Sequence, residues 1–581
     1  MRLNISKSKN ASSLYVIKDI NVRGKRTTKI VEKLGTYDEL LEKLNGEDPI
    51  QWAKEYIKEL NEKERQKKQK VIVKYSPVKK IKKDQQRVFN GGYLFLQKIY
   101  YELALDKLCD RLSNKYKFTF DLNNILSRLV YGRILFPSSK LTTHRQAATF
   151  IEPPNFDLQH VYRALDILAK ESNFIQSTLY KNSLKVSKRN TGILYYDCTN
   201  YFFEIEQEEG LKQYGVSKEH RPNPIVQMGL FMDGDGIPLA FSIHKGNTNE
   251  QTTLKPLEKK IIDDFKLSKF VVCTDAGLAS YNNRRFNDIG NRAFITTQSV
   301  KKLRKHLKEW ALNPRGWSLS DSQKLYNLSE LEEKINAIKD NHKKERWLSK
   351  VFYKERWIKE NGLEQKMIVT FSFKYRNYQR RIRQEQILRA QKKIDSNPSK
   401  IGKASQNDYR RFIKTTTCTD DGEIANKKIY HINTDVIDKE KIYDGFYGIC
   451  TNLEANISEI IKVNKGRWQI EECFRIIKTE FKARPVYLSK DERIEAHFIT
   501  CFISLLIYRL LEKRLNSEFT CPTIIRNLKN MNFLEARGEG YIPAYTRNNF
   551  TDNLHEIFGF RTDYQIITNK KIKKIIRDTK N

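Results

Sequence analysis

The sequence predicts a mixed α/β fold, and three features predict it. Two runs rich in β-branched and aromatic residues, 193–203 and 270–278, read as strands; Asp197 interrupts the first and Asp275 ends the second. Asp233-Gly234-Asp235-Gly236 separates two further apolar runs, 224–232 and 238–244, in the manner of a β-hairpin. The stretch 466–478 reads as one amphipathic helix, with Ile470, Phe474 and Ile477 on an apolar stripe and Arg467, Glu471 and Lys478 on the stripe beside it.

The remaining elements follow in chain order. Within 1–85, the alternation at 13–20, then Gly24-Lys25-Arg26 and the run 29–34, predict a small hairpin followed by a helix. Its Lys-rich end, 60–85, with Lys67, Lys68, Lys70, Lys79, Lys80, Lys82 and Lys83 around Pro77, is expected to be a solvated connector, a DNA contact being the alternative. Residues 86–188 space Leu94, Phe95, Ile99 and Leu103, then Ile125, Leu126, Leu129 and Val130, at helical intervals, which predicts an all-helical module. Residues 189–300 hold the first strands.

The interval between Asp275 and Glu471 is far longer than one crossover helix requires, so 301–440 is expected to be an insertion. It contains a helical charged tract at 328–347 and strand-like alternations at 347–353 and 367–373. Arg376, Arg380, Arg381 and Arg383, with Tyr375 and Tyr378, read equally as a DNA-backbone patch or a solvated helix face. Residues 441–545 resume with a strand at 446–451, the 466–478 helix and a buried helix at 496–508. Residues 546–581 form a basic tail whose last cations, 570–577, either touch DNA or fray in solvent.

An acid inside an apolar strand costs several kcal/mol unless it is paired or bound to a metal, so Asp197 points to function rather than packing. The carboxyl end of a strand is where open α/β sheets hold ligands, although Asp275 before Ala276-Gly277 suits a turn or helix cap equally well. Arg467 and Glu471 also fit an ordinary exposed helix pair worth about 0.3–0.5 kcal/mol. Asp233 and Asp235 read as turn residues, and His497 as a satisfied core histidine.

A strand Asp, a strand-end Asp and a helix Glu in that order, with Arg467, Glu471 and Lys478 spaced as in a Tyr-x2-Arg-x3-Glu-x6-Lys signature, resemble the DDE transposases of bacterial insertion sequences, in the insertion sequence 4 superfamily. Tyr196-Asp197-Cys198-Thr199-Asn200 and the stretches 229–239 and 444–449 look like the same branch, and the resemblance extends over residues 185–510. Asn464 stands where the signature has its tyrosine. The resemblance implies a ribonuclease-H-like core interrupted by a large, partly β insertion and preceded by a helical DNA-end-binding region. It implies Asp197, Asp275 and Glu471 as catalytic ligands of two Mg2+ or Mn2+ ions, and Arg467 and Lys478 as DNA-phosphate-binding residues. It also implies double-stranded DNA as partner, as transposon ends and target, and a homodimer in the synaptic complex. A structure-specific nuclease on the same core, or an inactive transposase-derived DNA-binding protein, are the alternatives.

Composition agrees with a nucleic-acid partner: 107 Lys and Arg against 70 Asp and Glu give a formal charge of +37, to which the codon bias of an AT-rich genome also contributes. No run of eighteen uninterrupted apolar residues suggests a membrane span, and residues 1–7 lack the apolar stretch of a signal peptide, so the protein is expected in the cytoplasm. The eight cysteines include no Cys-x-x-Cys pair and read as small buried hydrophobes, giving neither a zinc site nor a disulfide framework.

Overall fold

The structure, a computed structural model, describes the chain except residues 9–10, 23–24, 45, 69–70, 321, 397–407 and 419–426. It divides into two compact units, Met1–Gln85 with Ala536–Tyr541, and Gln86–Glu535 with Ile542–Asn581. In the first, strands Arg2–Lys7, Ser12–Val22 and Lys25–Thr36 form an antiparallel sheet, followed by helices Tyr37–Lys43 and Pro49–Lys68. Thr36 and Glu39 close a capping box at the first helix, and Leu14, Leu40 and Ala53 centre a small core. The expected hairpin thus gains a third strand and a second helix. That helix takes in Lys67 and Lys68, so the extended connector begins later than expected; Gly24 and Lys70 lie outside the described residues.

The second unit is built on one ten-stranded mixed sheet. Its strands are β1 (Ile193–Phe202), β2 (Ile225–Asp233), β3 (Pro238–Lys245), β4 (Phe270–Thr274), β5 (Arg292–Gln298), β6 (Trp317–Leu319), β7 (Ser322–Tyr326), β8 (Phe352–Glu360), β9 (Leu363–Phe371) and β10 (Phe446–Thr451). The sheet order is β7-β6-β8-β9-β10-β5-β4-β1-β2-β3. β1 to β3 run antiparallel, β1 is parallel to β4 and β4 to β5, and β10 returns antiparallel between β5 and β9.

The Asp-Gly turn joins β2 to β3 as expected, with Gly236 at φ 76°, and Asp233 is fixed there by the fully buried guanidinium of Arg189 at 2.6 Å. Within 301–440, strands Ile413–Cys418 and Lys427–Ile432 pair as a separate two-stranded antiparallel sheet. β6 to β9 extend the central sheet, because apolar Met367, Val369 and Phe371 of β9 and Phe352 of β8 pack with Trp317 and Cys450 in one core. Trp347 and Leu348 end a helix, Asn341–Leu348, so the strand expected at 347–353 begins only at Phe352.

Residues 93–186 form six helices: α1 (Tyr93–Glu102), α2 (Leu105–Tyr116), α3 (Leu122–Leu135), α4 (Lys140–Ala147), α5 (Leu158–Lys170) and α6 (Ser172–Val186). α7 (Leu254–Phe265) packs on the sheet face that Leu194, Tyr196 and Cys198 present. α8 (Phe373–Ser396) carries the arginine tract, and α9 (Ile457–Gly466) and α10 (Trp468–Arg475) lead into α11 (Asp491–Arg514). α11 is apolar enough over its length to qualify as a membrane span, yet most of it is buried against α1, α3, α5 and β3, as for the core helix expected at 496–508. The helical segment therefore shares one core with the residues that follow α10. Lys140, at the start of α4, is buried in this core, and no carboxylate or hydrogen-bond acceptor among the described residues pairs with it.

The C-terminal residues are ordered into packed helices. Asn549–Phe558 and Asn569–Asp578 bury Phe550, Leu554, Ile572 and Ile575, so the tail expected either to touch DNA or to fray is an amphipathic helix that leaves Lys570, Lys573 and Lys574 exposed.

Candidate active site

Alternation along β1 decides which residues share a face. Tyr196 and Cys198 point to α7, while Tyr195, Asp197, Thr199 and Tyr201 point to the other face, which α9, α10 and α11 cover. β1 pairs with β4 in the register Ile193↔Val271, Leu194↔Val272 and Tyr195↔Cys273. Asp275 follows directly on the end of β4, so the parallel pairing directs it towards Asp197, two residues beyond Tyr195 on β1, and its charge is felt there. Each aspartate anchors locally: Asp197 Oδ1 accepts from the Cys198 amide at 2.8 Å and Asp275 Oδ1 from the Leu278 amide at 3.0 Å.

Asp197 is half-buried, and its carboxyl is pushed up to about 6. Burial is the main cause; Lys218 and Arg467 oppose it, and Asp275 adds to it by like charge.

The stretch 466–478 is not the single straight helix expected. Arg467 sits at the junction between α9 and α10, and a π-helical turn, Ile476–Glu480, follows α10. Gly466 is required at that junction: a Cβ there would stand 2.2 Å from the Tyr195 hydroxyl, which donates to the Val463 carbonyl at 2.9 Å. The wider π turn rotates Lys478 off the stripe of Glu471 and towards β1, where its ammonium donates to Thr199 Oγ1 at 2.6 Å. Glu471 stays largely exposed, 3.9 Å from Arg467 Nη1.

Arg467 is the hub of the site. Burial works to lower its pKa, but Tyr447, Asp275, Asp197 and Cys273 outweigh burial and raise it, so the guanidinium stands between the aspartate pair and Glu471. The three carboxylates do not close to within 4.8 Å of one another, and no hydrogen bond or ion pair among the described residues joins Glu471 to either aspartate. The structure thus brings Asp197, Asp275, Arg467 and Lys478 together and links Glu471 to them through Arg467.

Asn464, in the signature's tyrosine position, is buried and donates to the Tyr447 hydroxyl at 3.2 Å, which meets Thr297 Oγ1 at 2.6 Å. A phenol therefore reaches this corner from β10 instead of from the helix. Sequence reasoning missed it, along with Lys218 and Glu219 of the β1–β2 loop. Glu219 pairs with Arg484 and lies 3.7 Å from Lys478. The pKa of Lys478 is lowered to about 8, by burial first and then by Lys218, against the pull of Asp197. No periodicity marks residues in such a loop; Asn200, which anchors it, was visible only as part of the quoted Tyr-Asp-Cys-Thr-Asn motif.

The arginine tract on α8 is largely engaged inside the protein. Arg376 pairs with Glu332, and Arg383 forks onto buried Asp444, which Arg380 also approaches at 3.8 Å. Arg381 instead lies over the exposed Tyr378 ring, 5.8 Å from its centroid.

Among the described residues, one group has three ligand-type atoms within 4.8 Å: Asp552, His555 and Asp563. It fits a metal poorly, because Arg547 and Arg561 already neutralise both aspartates. His555 Nε2 accepts the Thr562 amide, which leaves the proton on Nδ1 facing Asp563.

The two cysteines nearest the site, Cys198 and Cys273, have thiols pushed up to about 12 by burial and are not nucleophiles.

No family model and no curated protein matches the sequence. Among solved structures, the chain is similar to piggyBac transposase in a synaptic complex with hairpin DNA, determined by cryo-electron microscopy. The superposition covers 83% of this chain and 86% of that one at 8% identity, with a TM-score of 0.35, too loose to define a common fold.

Proposed function

We propose that this protein is a DDE-type DNA transposase of the insertion sequence 4 superfamily, which cleaves DNA at insertion-sequence ends and transfers the strand to target DNA. The observation that carries the reading is Asp197 on β1 with Asp275 just past the end of β4, its parallel neighbour, and the charges of Arg467 and Lys478 acting on this pair. The strand order β3-β2-β1-β4-β5, three antiparallel strands then two parallel ones, supports a ribonuclease-H-like core. The net charge of +37 supports a phosphate-rich partner.

Asp197, Asp275 and Glu471 offer only carboxylate oxygens, the donor set for Mg2+ or Mn2+, and these residues would hold two such ions. When bound, the ions supply activation of water or a DNA 3′-hydroxyl and stabilisation of the leaving oxygen. The chain's own groups bind and orient the DNA. Arg467 offers a planar fork for a phosphate beside the aspartates, and its pairing with Glu471 sets the angle of that carboxylate. Lys478 supplies a point charge, which the Thr199 hydroxyl holds at the Asp197 strand. Glu471 is largely exposed, so it would have to approach the aspartates to share an ion with them.

The helical segment 86–188 would bind the element's ends and a homodimer would pair them, in the bacterial cytoplasm. The test is incubation of purified protein with a supercoiled plasmid carrying the element's own ends and Mg2+. End-specific cuts and joined products are expected with intact protein; Asp197→Asn, Asp275→Asn and Glu471→Gln are expected to bind ends without cutting. Cuts without joining would make the protein a nuclease. Binding without metal-dependent cutting would make it an inactive DNA-binding derivative.

A further inference from the structure

The β1–β2 loop is pinned across the end of β1. Phe203 and Pro224 close its base through a hydrogen bond of 3.0 Å, and buried Asn200 donates to the Val216 carbonyl at 3.0 Å while accepting from the Lys218 amide at 3.4 Å. At Gly215 the loop presses on the β3 end, where a Cβ would stand 2.0 Å from the Gly246 carbonyl. This bracing delivers one ammonium to the site. Lys218 Nζ donates to the carbonyl of Cys198, the residue after Asp197, and lies 3.1 Å from Glu250 Oε1.

A half-exposed Lys–Glu pair contributes little by itself and would need no such scaffold. The ammonium is also close enough to Lys478 to depress that group's pKa, and of the groups that favour ionised Asp197 it acts most strongly. Two lysines that repel each other, with Arg467 nearby, form a concentration of positive charge suited to an anion arriving between them.

We propose that Lys218 is a third phosphate-binding cation of this centre and that Glu250 is the positioning residue that aims it. The inference deepens the phosphoryl-transfer reading and rests on it. Lys218 would meet a non-bridging oxygen of the DNA phosphate seated on the aspartate pair. Glu250 keeps the ammonium from collapsing onto Asp197, which leaves that carboxylate available as a ligand.

The experiment compares intact protein with Lys218→Met, Lys218→Arg, Glu250→Gln and Glu250→Asp, using single-turnover cleavage of an end-bearing duplex, duplex affinity and melting temperature. Lys218→Met is expected to slow cleavage at saturating DNA by about 100-fold, the scale of removing one preorganised donor, while affinity changes by less than about tenfold. Lys218→Arg should recover part of the rate. Glu250→Gln should lose about tenfold and Glu250→Asp should recover it, with melting temperatures unchanged throughout. If intact protein cuts and Lys218→Met cuts equally fast, or if the variants lose rate only in step with melting temperature, this inference falls alone. If intact protein cuts no DNA with Mg2+ or Mn2+, the reading beneath it falls as well.

Discussion

Replacing Asp197 by Asn should stabilise the metal-free protein while abolishing the proposed cleavage. The folded environment moves this carboxyl from 3.8 to about 6, chiefly through burial, with Asp275 adding to it and the attraction of Lys218 already included. At 1.36 kcal/mol per pH unit the ionised form is disfavoured by about 3 kcal/mol, and partial solvent access screens this to about 1–3 kcal/mol. The sign follows from linkage: a raised folded pKa contributes stability that is complete below pH 3.8 and is lost as pH rises through about 6. At pH 8 without metal, wild type therefore carries the full cost, and Asn, which can still accept from the Cys198 amide, removes it.

In a unit of this size that gain corresponds to a melting temperature higher by about 1–3 °C. Scanning calorimetry in EDTA at pH 8 and pH 4.5 should show the gap at the first and its shrinkage at the second. Mg2+ should raise the melting temperature of wild type at pH 8 and leave Asp197→Asn unmoved. An Asn variant that melts at or below wild type at pH 8, or a gap independent of pH, would refute the idea that this site is a charge awaiting a cation.

Other outcomes follow from the same physics. Gly466→Ala should cost about 1–3 kcal/mol in denaturant unfolding, because its methyl group meets the Tyr195 hydroxyl, and Tyr195→Phe should recover part of that loss in the double variant. Lys140→Met should raise the melting temperature at pH 7: burial, then Arg133, lowers the Lys140 pKa to about 7, so wild-type stability falls as pH drops from about 10 through 7, and the gain should vanish near pH 10.5. Arg189→Met should destabilise by about 3–5 kcal/mol in chemical denaturation, since it strands fully buried Asp233 in the β2–β3 turn. Zn2+ should not shift the melting temperature through Asp552, His555 and Asp563, and a stabilisation abolished by His555→Ala would overturn the reading of that cluster as an Arg-neutralised network.

Much of the site was legible in the sequence because its chemistry conflicts with its surroundings. Asp197 interrupts an apolar strand and Asp275 ends one, and both conflicts survive in the fold as half-buried carboxylates. The Asp-Gly turn was legible because few sequences tolerate its backbone geometry. The π turn after α10 was not, since apolar spacing at 470, 474 and 477 suits an α-helix equally well. Lys218 and Tyr447 were missed because each acts across a long sequence separation, one from an irregular loop and one from a strand whose partners are set by sheet order. The connection of 301–440 to the central sheet was hidden for the same reason: alternation at β9 reveals a strand but not its neighbour.

The position of β10 has a consequence for how the chain is made. It lies between β5 and β9, so until residue 451 has been synthesised the growing sheet exists as two separate halves, each with an open hydrogen-bonding edge. Unpaired edges of apolar strands recruit other chains. A ribosome that stalls, or a gene copy interrupted, anywhere between the codons for β9 and β10 would release a polypeptide with two adhesive flanks and without α9 to α11, a product suited to precipitation or to capture of full-length protein rather than to harmless disposal.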